Sequence, residues 1–171
     1  MKKILFHISR VTETIEKTIV FSSILLMMAN STANAIGRYA FGKSLFFSEE
    51  LNQFLIVAIT FIGFAYAVRK GRNIRMTALY DSLNFPARKF IATLIAITTG
   101  LLMFYLSYKA CLYVMEVKDL NRLSPALQIP VYWVFSIIPI GLAMAGLQYM
   151  IAFFMNLTHK EIYLSHDTVD I

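Results

Sequence analysis

Charged residues are scarce in this chain. They make up 15% of its 171 residues, whereas apolar residues make up 58%. A soluble domain carries about a quarter of charged residues, so this chain lacks the polar surface that a soluble core of this size needs. Cysteine is scarcer still: the single one, Cys111, lies in an apolar run and forms no disulfide within the chain, so it indicates no redox compartment.

Motifs for catalysis and for metal binding are also missing. The sequence contains no P-loop, HExxH, CxxC or GxSxG pattern. His7, His159 and His166 lie in the terminal segments, and no two of them have the spacing of metal ligands. We therefore expect no enzyme, no catalytic residue, no metal site and no cofactor.

Four long apolar runs are present instead, at Thr18–Ile36, Leu51–Val68, Phe90–Met115 and Val131–Met155. About 20 apolar helical residues cross a bilayer core of about 30 Å. None of the runs has an acidic residue in its middle or alternates like a strand, and helices satisfy their backbone in lipid. The sequence predicts an all-α integral membrane protein, with one membrane domain over residues 1–171 that contacts lipid. Four buried soluble helices are the alternative, but they would leave almost no polar sequence to cover them.

The first run has a second interpretation, a cleaved signal peptide, because Ala33-Asn34-Ala35 resembles a cleavage site. Both the run and the polar leader before it are long for a signal peptide. We therefore expect an uncleaved first span.

Lys and Arg are distributed unevenly among the segments outside the runs. Eleven lie in the N-terminal segment, the connection between runs two and three and the C-terminal tail, and four lie in the other two connections. The positive-inside rule then places both termini in the cytoplasm. The net charge of +6 is a topology signal, and without a groove-reading motif it predicts no nucleic-acid partner. The middle connection supplies the predicted cytoplasmic interface: Arg69, Lys70, Arg72, Arg75, Arg88 and Lys89.

The connecting segments give four further predictions. Apolar residues at i, i+3, i+4 and i+7 from Met76 to Leu83 predict an interfacial helix over residues 72–85, with a loop as the alternative. Gly71 is expected to end span two. Pro139 is expected to kink span four, and the tail from residue 156 is expected to end loosely.

Small residues and asparagines recur inside the runs at helical spacing. Such residues let membrane helices approach closely, and an asparagine hydrogen-bonds across them. They predict helix packing, within the chain or against a partner, with substrate binding by the asparagines as the alternative. The predicted packing positions are Ala29, Asn30, Ala33, Asn34, Gly63, Gly141 and Ala145.

The densest polar cluster joins the first two runs, at the predicted outer end. Ser48 is the expected N-cap of the second span. A second role of the cluster is an ion pair of Arg38 with Glu49 or Glu50, either within the hairpin or across to a partner, so it is predicted to be a partner interface or an outer-face cluster. The cluster consists of Arg38, Tyr39, Phe47, Glu49 and Glu50.

This cluster resembles the small membrane subunit, the DctQ-like component, of tripartite ATP-independent periplasmic (TRAP) transporters. In that family Arg-Tyr precedes an aromatic residue and Glu-Glu, followed by a late Gly, here Gly63, and a basic-Gly turn, here Arg69-Lys70-Gly71. The family often has His before the Ile of this turn. This chain has Asn73 before Ile74 instead, so no role of that His is carried over.

The resemblance implies a function and two partners. The family's small subunit packs in the bacterial inner membrane against a large permease subunit that carries the substrate and Na⁺ sites. A periplasmic binding protein captures the substrate, usually an organic acid, and the layout resembles sialic-acid systems in particular. A non-catalytic scaffold subunit is therefore the expected function.

Two alternatives stay open at this point. A self-sufficient four-span exporter acting as a homodimer normally needs a membrane-embedded acid, and a respiratory anchor subunit needs histidines inside its spans. The four runs contain neither.

Overall fold

The computed structural model describes residues 2–71, 83–159, 161–163 and 169–170. Within these residues, four helical segments are long and apolar enough to cross a membrane. This confirms the predicted all-α membrane fold. The elements are α1 (Lys2–Phe41), α2 (Ser48–Arg69), α3 (Phe85–Asp119), α4 (Val131–Phe135), α5 (Ile137–Thr158), β1 (Ile162–Tyr163) and β2 (Val169–Asp170). Helices α4 and α5 together make the fourth span.

Helices α1 and α3 are longer than the apolar runs inside them. They contain 40 and 35 residues, so at 1.5 Å per residue they reach about 60 and 52 Å. Both exceed a bilayer core of about 30 Å and must tilt or extend beyond it. Helix α1 continues until Gly42, whose φ of +63° breaks the helix. Hydropathy identifies the part of a helix that is apolar, and not where the helix ends.

The spans pack in the order α1, α2, α5, α3 within the described ranges. Helix α2 contacts α1 on one side and α5 on the other, and α5 contacts α3 in turn. Helices α1 and α3 are therefore the edges of the arrangement, and α2 and α5 are its centre. Consecutive spans are not always neighbours here, because the fourth span lies between the second and the third.

The closest approach is between α2 and α5. Ala65 and Ala145 are fully buried in this contact. A Cβ atom built on Gly141 would lie 2.6 Å from the carbonyl oxygen of Phe61, so only glycine fits there without a shift of the backbone. Small residues at this crossing let the two backbones meet in the manner known for membrane helices.

The fourth span is interrupted at Ser136, between α4 and α5. Pro139 lies in the first turn of α5 and has no N–H to donate to the carbonyl of Phe135, so one hydrogen bond of a continuous helix is missing at this point. The Ser136 hydroxyl donates to the Tyr132 carbonyl at 2.7 Å. The fourth span is thus interrupted three residues before Pro139, where the sequence predicts a kink. Gly71 likewise ends span two with a φ of +61°.

The C-terminal tail is more ordered than predicted. The side chain of Asn156 donates to the carbonyl of Tyr163 at 2.8 Å and accepts from its N–H at 2.7 Å. Ile162 is buried beside α5, and β1 pairs antiparallel with β2. The expectation of a loose tail is wrong for these residues, because a buried asparagine and one apolar side chain fold the tail back onto α5.

An interfacial helix is predicted over residues 72–85. Residues 72–82 of it lie outside the described part of the chain. Arg72 and Arg75 are among these residues. The segment that follows begins α3 at Phe85, with Pro86 in its first turn, where proline is well tolerated.

Candidate functional site

Polar contacts gather at the two ends of the bundle. We call the end formed by residues 37–50 and 118–131 the loop end. The opposite end, formed by residues 11–17, 69–71, 85–89, 156–159 and 161–163, is the terminal end. In the ranges that the structure describes, no three His, Cys, Asp or Glu side chains come close enough together to hold a metal ion.

Glu50 of α2 joins two segments of the loop end by hydrogen bonds. One of its carboxylate oxygens, Oε2, accepts hydrogen bonds from the backbone N–H groups of Ala126 and Leu127 at 2.9 and 2.8 Å. Consecutive N–H groups in a turn form an anion-binding concavity, and here the anion is a side chain from α2. The loop between α3 and α4 is therefore held against the start of α2.

The loop that Glu50 holds is closed by its own backbone. The N–H of Ser124 donates to Ile129 at 2.9 Å, and the N–H of Val131 donates to Arg122 at 3.1 Å. Gln128 adopts a φ of +55°, which few residues with a side chain do. These contacts aim the two N–H groups at Glu50.

The predicted ion pair of Arg38 with Glu49 or Glu50 is absent from the described residues. Arg38 instead donates to the hydroxyl of Tyr39 at 3.0 Å and lies 5.0 Å from the centre of its ring. Glu49 is exposed, whereas Glu50 turns toward the loop. The prediction of a pair within the hairpin was wrong because the contact of Glu50 lies 76 residues away in the chain, where sequence proximity gives no signal.

Ser48 is not the N-cap that the sequence suggests. Phe47 occupies that position without a side-chain cap, with φ −89° and ψ −8° already helical. Ser48 is the first residue of α2 and is buried, and its carbonyl accepts a hydrogen bond from Asn30 at 2.9 Å. Phe47 packs edge-to-face against Phe46, with the ring centres 5.6 Å apart.

The asparagines of α1 contact the neighbouring helix. Asn30 is buried and also donates to the side-chain oxygen of Asn52 at 2.8 Å. Asn52 in turn donates to Ser31 at 3.0 Å. Asn34 accepts from the N–H of Leu45 at 2.7 Å. These contacts hold the α1–α2 hairpin together at the loop end.

The small residues separate into two groups. Gly63 faces α1, where a Cβ atom would lie 3.7 Å from Val20, and Gly141 and Ala145 lie between α2 and α5. Ala29 and Ala33, by contrast, are exposed on the outer face of α1. Only the first group packs within the described part of the chain.

The terminal end contains a buried ion pair that the sequence analysis missed. Arg69 donates from Nε to Oε2 of Glu16 at 2.8 Å and from its terminal nitrogen to Oε1 at 3.0 Å. The two side chains are 3% and 0% exposed. With its amide oxygen turned toward the guanidinium, Gln148 of α5 accepts from both terminal nitrogens of Arg69, at 3.3 and 3.0 Å.

A periodic signal for this cluster was present in the sequence. Glu16, Ser23 and Asn30 recur every seven residues, and all three are buried on the face of α1 that meets α2. A seven-residue repeat marks one face of a packed helix. Glu16 precedes the apolar run, however, so hydropathy left it outside the span, and Arg69 was assigned to a solvated interface.

Three other basic residues of the terminal end, Lys70, Arg88 and Lys89, are partly exposed. Lys70 pairs with Glu13 at 2.6 Å. Lys89 donates to the carbonyl of His159 at the end of α5, at 2.6 Å, where a cation is favourable. Arg88 is half-buried beside it.

A sequence profile of the DctQ component of tripartite ATP-independent periplasmic transporters matches residues 27–159. The chain therefore belongs to this family of small TRAP transporter subunits, which confirms the resemblance. It is a transport component and not an enzyme, and it is a multi-pass membrane protein.

Two relatives are similar over most of this chain. The ectoine TRAP transporter small permease protein TeaB of Halomonas elongata is 41% identical over 167 residues, which are 98% of this chain and 86% of the relative. The C4-dicarboxylate TRAP transporter small permease protein DctQ of Rhodobacter capsulatus is 26% identical over 130 residues, 75% of this chain and 57% of the relative. Neither name supports the sialic-acid type.

Proposed function

We propose that this subunit braces the large permease subunit of a Na⁺-coupled TRAP transporter and helps to dock the periplasmic binding protein. The observation that carries the proposal is that the ion pairs and most polar contacts between the spans lie toward their two ends, and that the middles of the apolar runs are free of acids. Substrate and ion pathways normally place ionisable groups or broken helices at mid-membrane. Transport chemistry then belongs to the partner.

The outer face of α1 is the surface that we assign to the large subunit. From residue 29 to residue 35 this edge helix carries only alanine, serine, threonine and asparagine. Large apolar side chains are exposed on either side of this stretch, such as Met28 and Ile36, whereas α3 exposes them along its length, from Leu94 to Met115. Lipid suits large apolar groups, whereas small residues allow the close approach of another helix.

The loop end is the surface that we assign to the periplasm and to the binding protein. The distribution of Lys and Arg supports cytoplasmic termini. The side chains of Tyr39 and Phe46 are 80 and 78% exposed there. The loop held by Glu50 lies at the same end. A preformed exposed surface suits the docking of a soluble partner.

The proposed substrate is a small organic acid. Ectoine is the first candidate, because the relative that covers 98% of this chain carries that name. Sialic acid, which the layout suggests, is the second. Both carry a carboxylate, and the large subunit and the binding protein select between them.

The decisive test is co-expression with the adjacent large permease subunit, followed by purification in mild detergent. We expect a stable complex, and with the binding protein, uptake of ectoine into liposomes that is lost when this chain is omitted. Sialic acid uptake in place of ectoine would correct the substrate only. Failure to co-purify, together with uptake that survives deletion of this chain, would refute the scaffold function.

A matched pair of substitutions tests the assigned face. Ala33→Trp should lower recovery of the large subunit, because the bulky ring blocks close approach. Leu101→Trp on the exposed face of α3 should leave recovery unchanged. The reverse result would assign the partner to α3.

A further inference from the structure

Two ion pairs join α1 to the end of α2. Glu16 and Arg69 form the buried pair, and one turn earlier Glu13 contacts Lys70 with side chains that are 31 and 28% exposed. The two acids are three residues apart and so share a face of α1, while the two bases are consecutive. Both pairs therefore form together at only one axial position of α1 along α2.

Helix α1 packs against α2 alone among the described spans. It is an edge helix, and only 11% of its most apolar window is buried. Contacts between apolar helices gain little in lipid, whose tails are equally apolar. Directional polar contacts must therefore select how α1 lies against α2.

The buried pair is suited to that selection. Removing one partner of a buried pair leaves a charge without compensation, which costs far more than the loss of an exposed pair. Gln148 extends the contact to α5, so a single guanidinium joins three helices. At the loop end Asn30 holds the same helix against α2.

We propose that Glu16, Arg69 and Gln148 are positioning residues that set the axial register and rotation of α1 against α2 and α5. By doing so they present the face that carries Ala29 and Ala33 in a fixed direction. The assignment of that face to the large subunit rests on the proposed function, whereas the register of α1 does not.

A disulfide test measures the register in the full-length chain, in membranes that also contain the large subunit. Cys111→Ser removes the native thiol, and Val20→Cys with Gly63→Cys adds a pair across α1 and α2. A Cβ atom at position 63 lies 3.7 Å from Cγ2 of Val20, so the two positions face each other across the helices. The parent pair should cross-link readily under mild oxidation.

In that background, Glu16→Gln and Arg69→Met should each lower the rate of cross-linking by about tenfold or more, because an unpaired buried charge shifts the packing equilibrium. The exchange of Glu16→Arg with Arg69→Glu should restore most of it, since the amide of Gln148 can turn to donate to a carboxylate. Glu13→Gln is the matched control for a partly exposed pair and should behave like the parent.

The proposal would be overturned if the single variants cross-link at the parental rate. It would also be overturned if the exchange variant cross-links no faster than the single variants. If the single variants are not recovered from membranes, recovery of the exchange variant at the parental level supports it and its loss contradicts it. Cross-linking that falls while the large subunit still co-purifies would reject the link to the partner face. Failure of the intact chain to co-purify would count against the proposed function and leave the register standing.

Discussion

Glu49 and Glu50 show how differently two adjacent, identical residues can act. Glu49 is exposed at the first turn of α2, where its charge favours the positive end of the helix. Glu50 points to the other side and receives two backbone N–H groups from a distant loop. A helix rotates by about 100° per residue, so neighbours in sequence face different surroundings.

The residue-scale prediction follows from this difference. Glu50→Lys should release the loop over residues 122–131, because a cation repels the N–H groups that the carboxylate accepts. Limited proteolysis of the purified chain should then cut this loop faster, and recovery of the complex should fall.

The controls for this prediction are Glu49→Lys and Glu116→Lys, since both positions are exposed. We expect near-parental behaviour from both. Equal effects at positions 49 and 50 would show that the pair acts only through its charge at the end of α2.

At the scale of elements, the crossing of α2 and α5 is the structural centre of the subunit. It joins the first two spans to the last two, and its buried side chains are mostly small. Without a hydrophobic driving force between helices in lipid, the closeness of the backbones supplies the contact energy.

Gly141→Ala tests this crossing. The added methyl group would meet the backbone of Phe61 at 2.6 Å, so α2 and α5 must move apart, at a cost of about 1–3 kcal/mol for overpacking. The apparent Tm in detergent should fall by several degrees.

Gly63→Ala is the matched control. Its methyl group would lie 3.7 Å from the Val20 side chain, an ordinary contact, and alanine favours a helix over glycine by about 1 kcal/mol. Its Tm should therefore stay level or rise. A Tm for Gly141→Ala that matches this control would mean that the crossing relaxes at no cost.

At the scale of the whole molecule, the distribution of contacts agrees with a rigid insert in a larger assembly. The two ends are closed by hydrogen bonds and ion pairs. Edge helix α1 exposes a stretch of small residues at 29–35 between large apolar ones, whereas α3 exposes large apolar side chains along its length. A brace needs fixed ends and one face for its partner.

The orientation of the whole chain is testable by thiol labelling of intact cells. In the Cys111→Ser background, Lys43→Cys at the loop end should react with a membrane-impermeant maleimide after the outer membrane is permeabilised. Glu161→Cys at the terminal end should react only after lysis. Both positions are exposed, so the opposite pattern would reverse the topology.

Much of the fold was predictable because hydropathy is a property of local sequence. Three of the apolar runs lie inside single helices, and the fourth lies in the span that α4 and α5 make together. The end of span two at Gly71 and the interruption before Pro139 follow from the backbone of single residues. The Arg38–Glu50 ion pair that the spacing suggested does not form within the described residues, and the contact of Glu50 with Ala126 and Leu127 was not predictable from spacing, since helix ends offer a charged group several competing partners.

The two ends of the bundle differ in how much of them the sequence predicted. The residues of the loop end were identified from their clustering and their family pattern, and the comparisons confirm the family. The buried cluster of the terminal end was missed, because its members come from positions 16, 69 and 148. Only a seven-residue repeat on α1 pointed to one of them.

The sequence by itself determined that this protein is a four-span membrane subunit of the DctQ family, because composition and motif are written along the chain. Only the tertiary structure decided that α5 lies between α2 and α3, that Glu50 holds the α3–α4 loop and that Glu16 meets Arg69. The physical reason is that lipid satisfies an apolar helix on every side. Which faces meet is then decided by small residues and polar groups that are far apart in sequence.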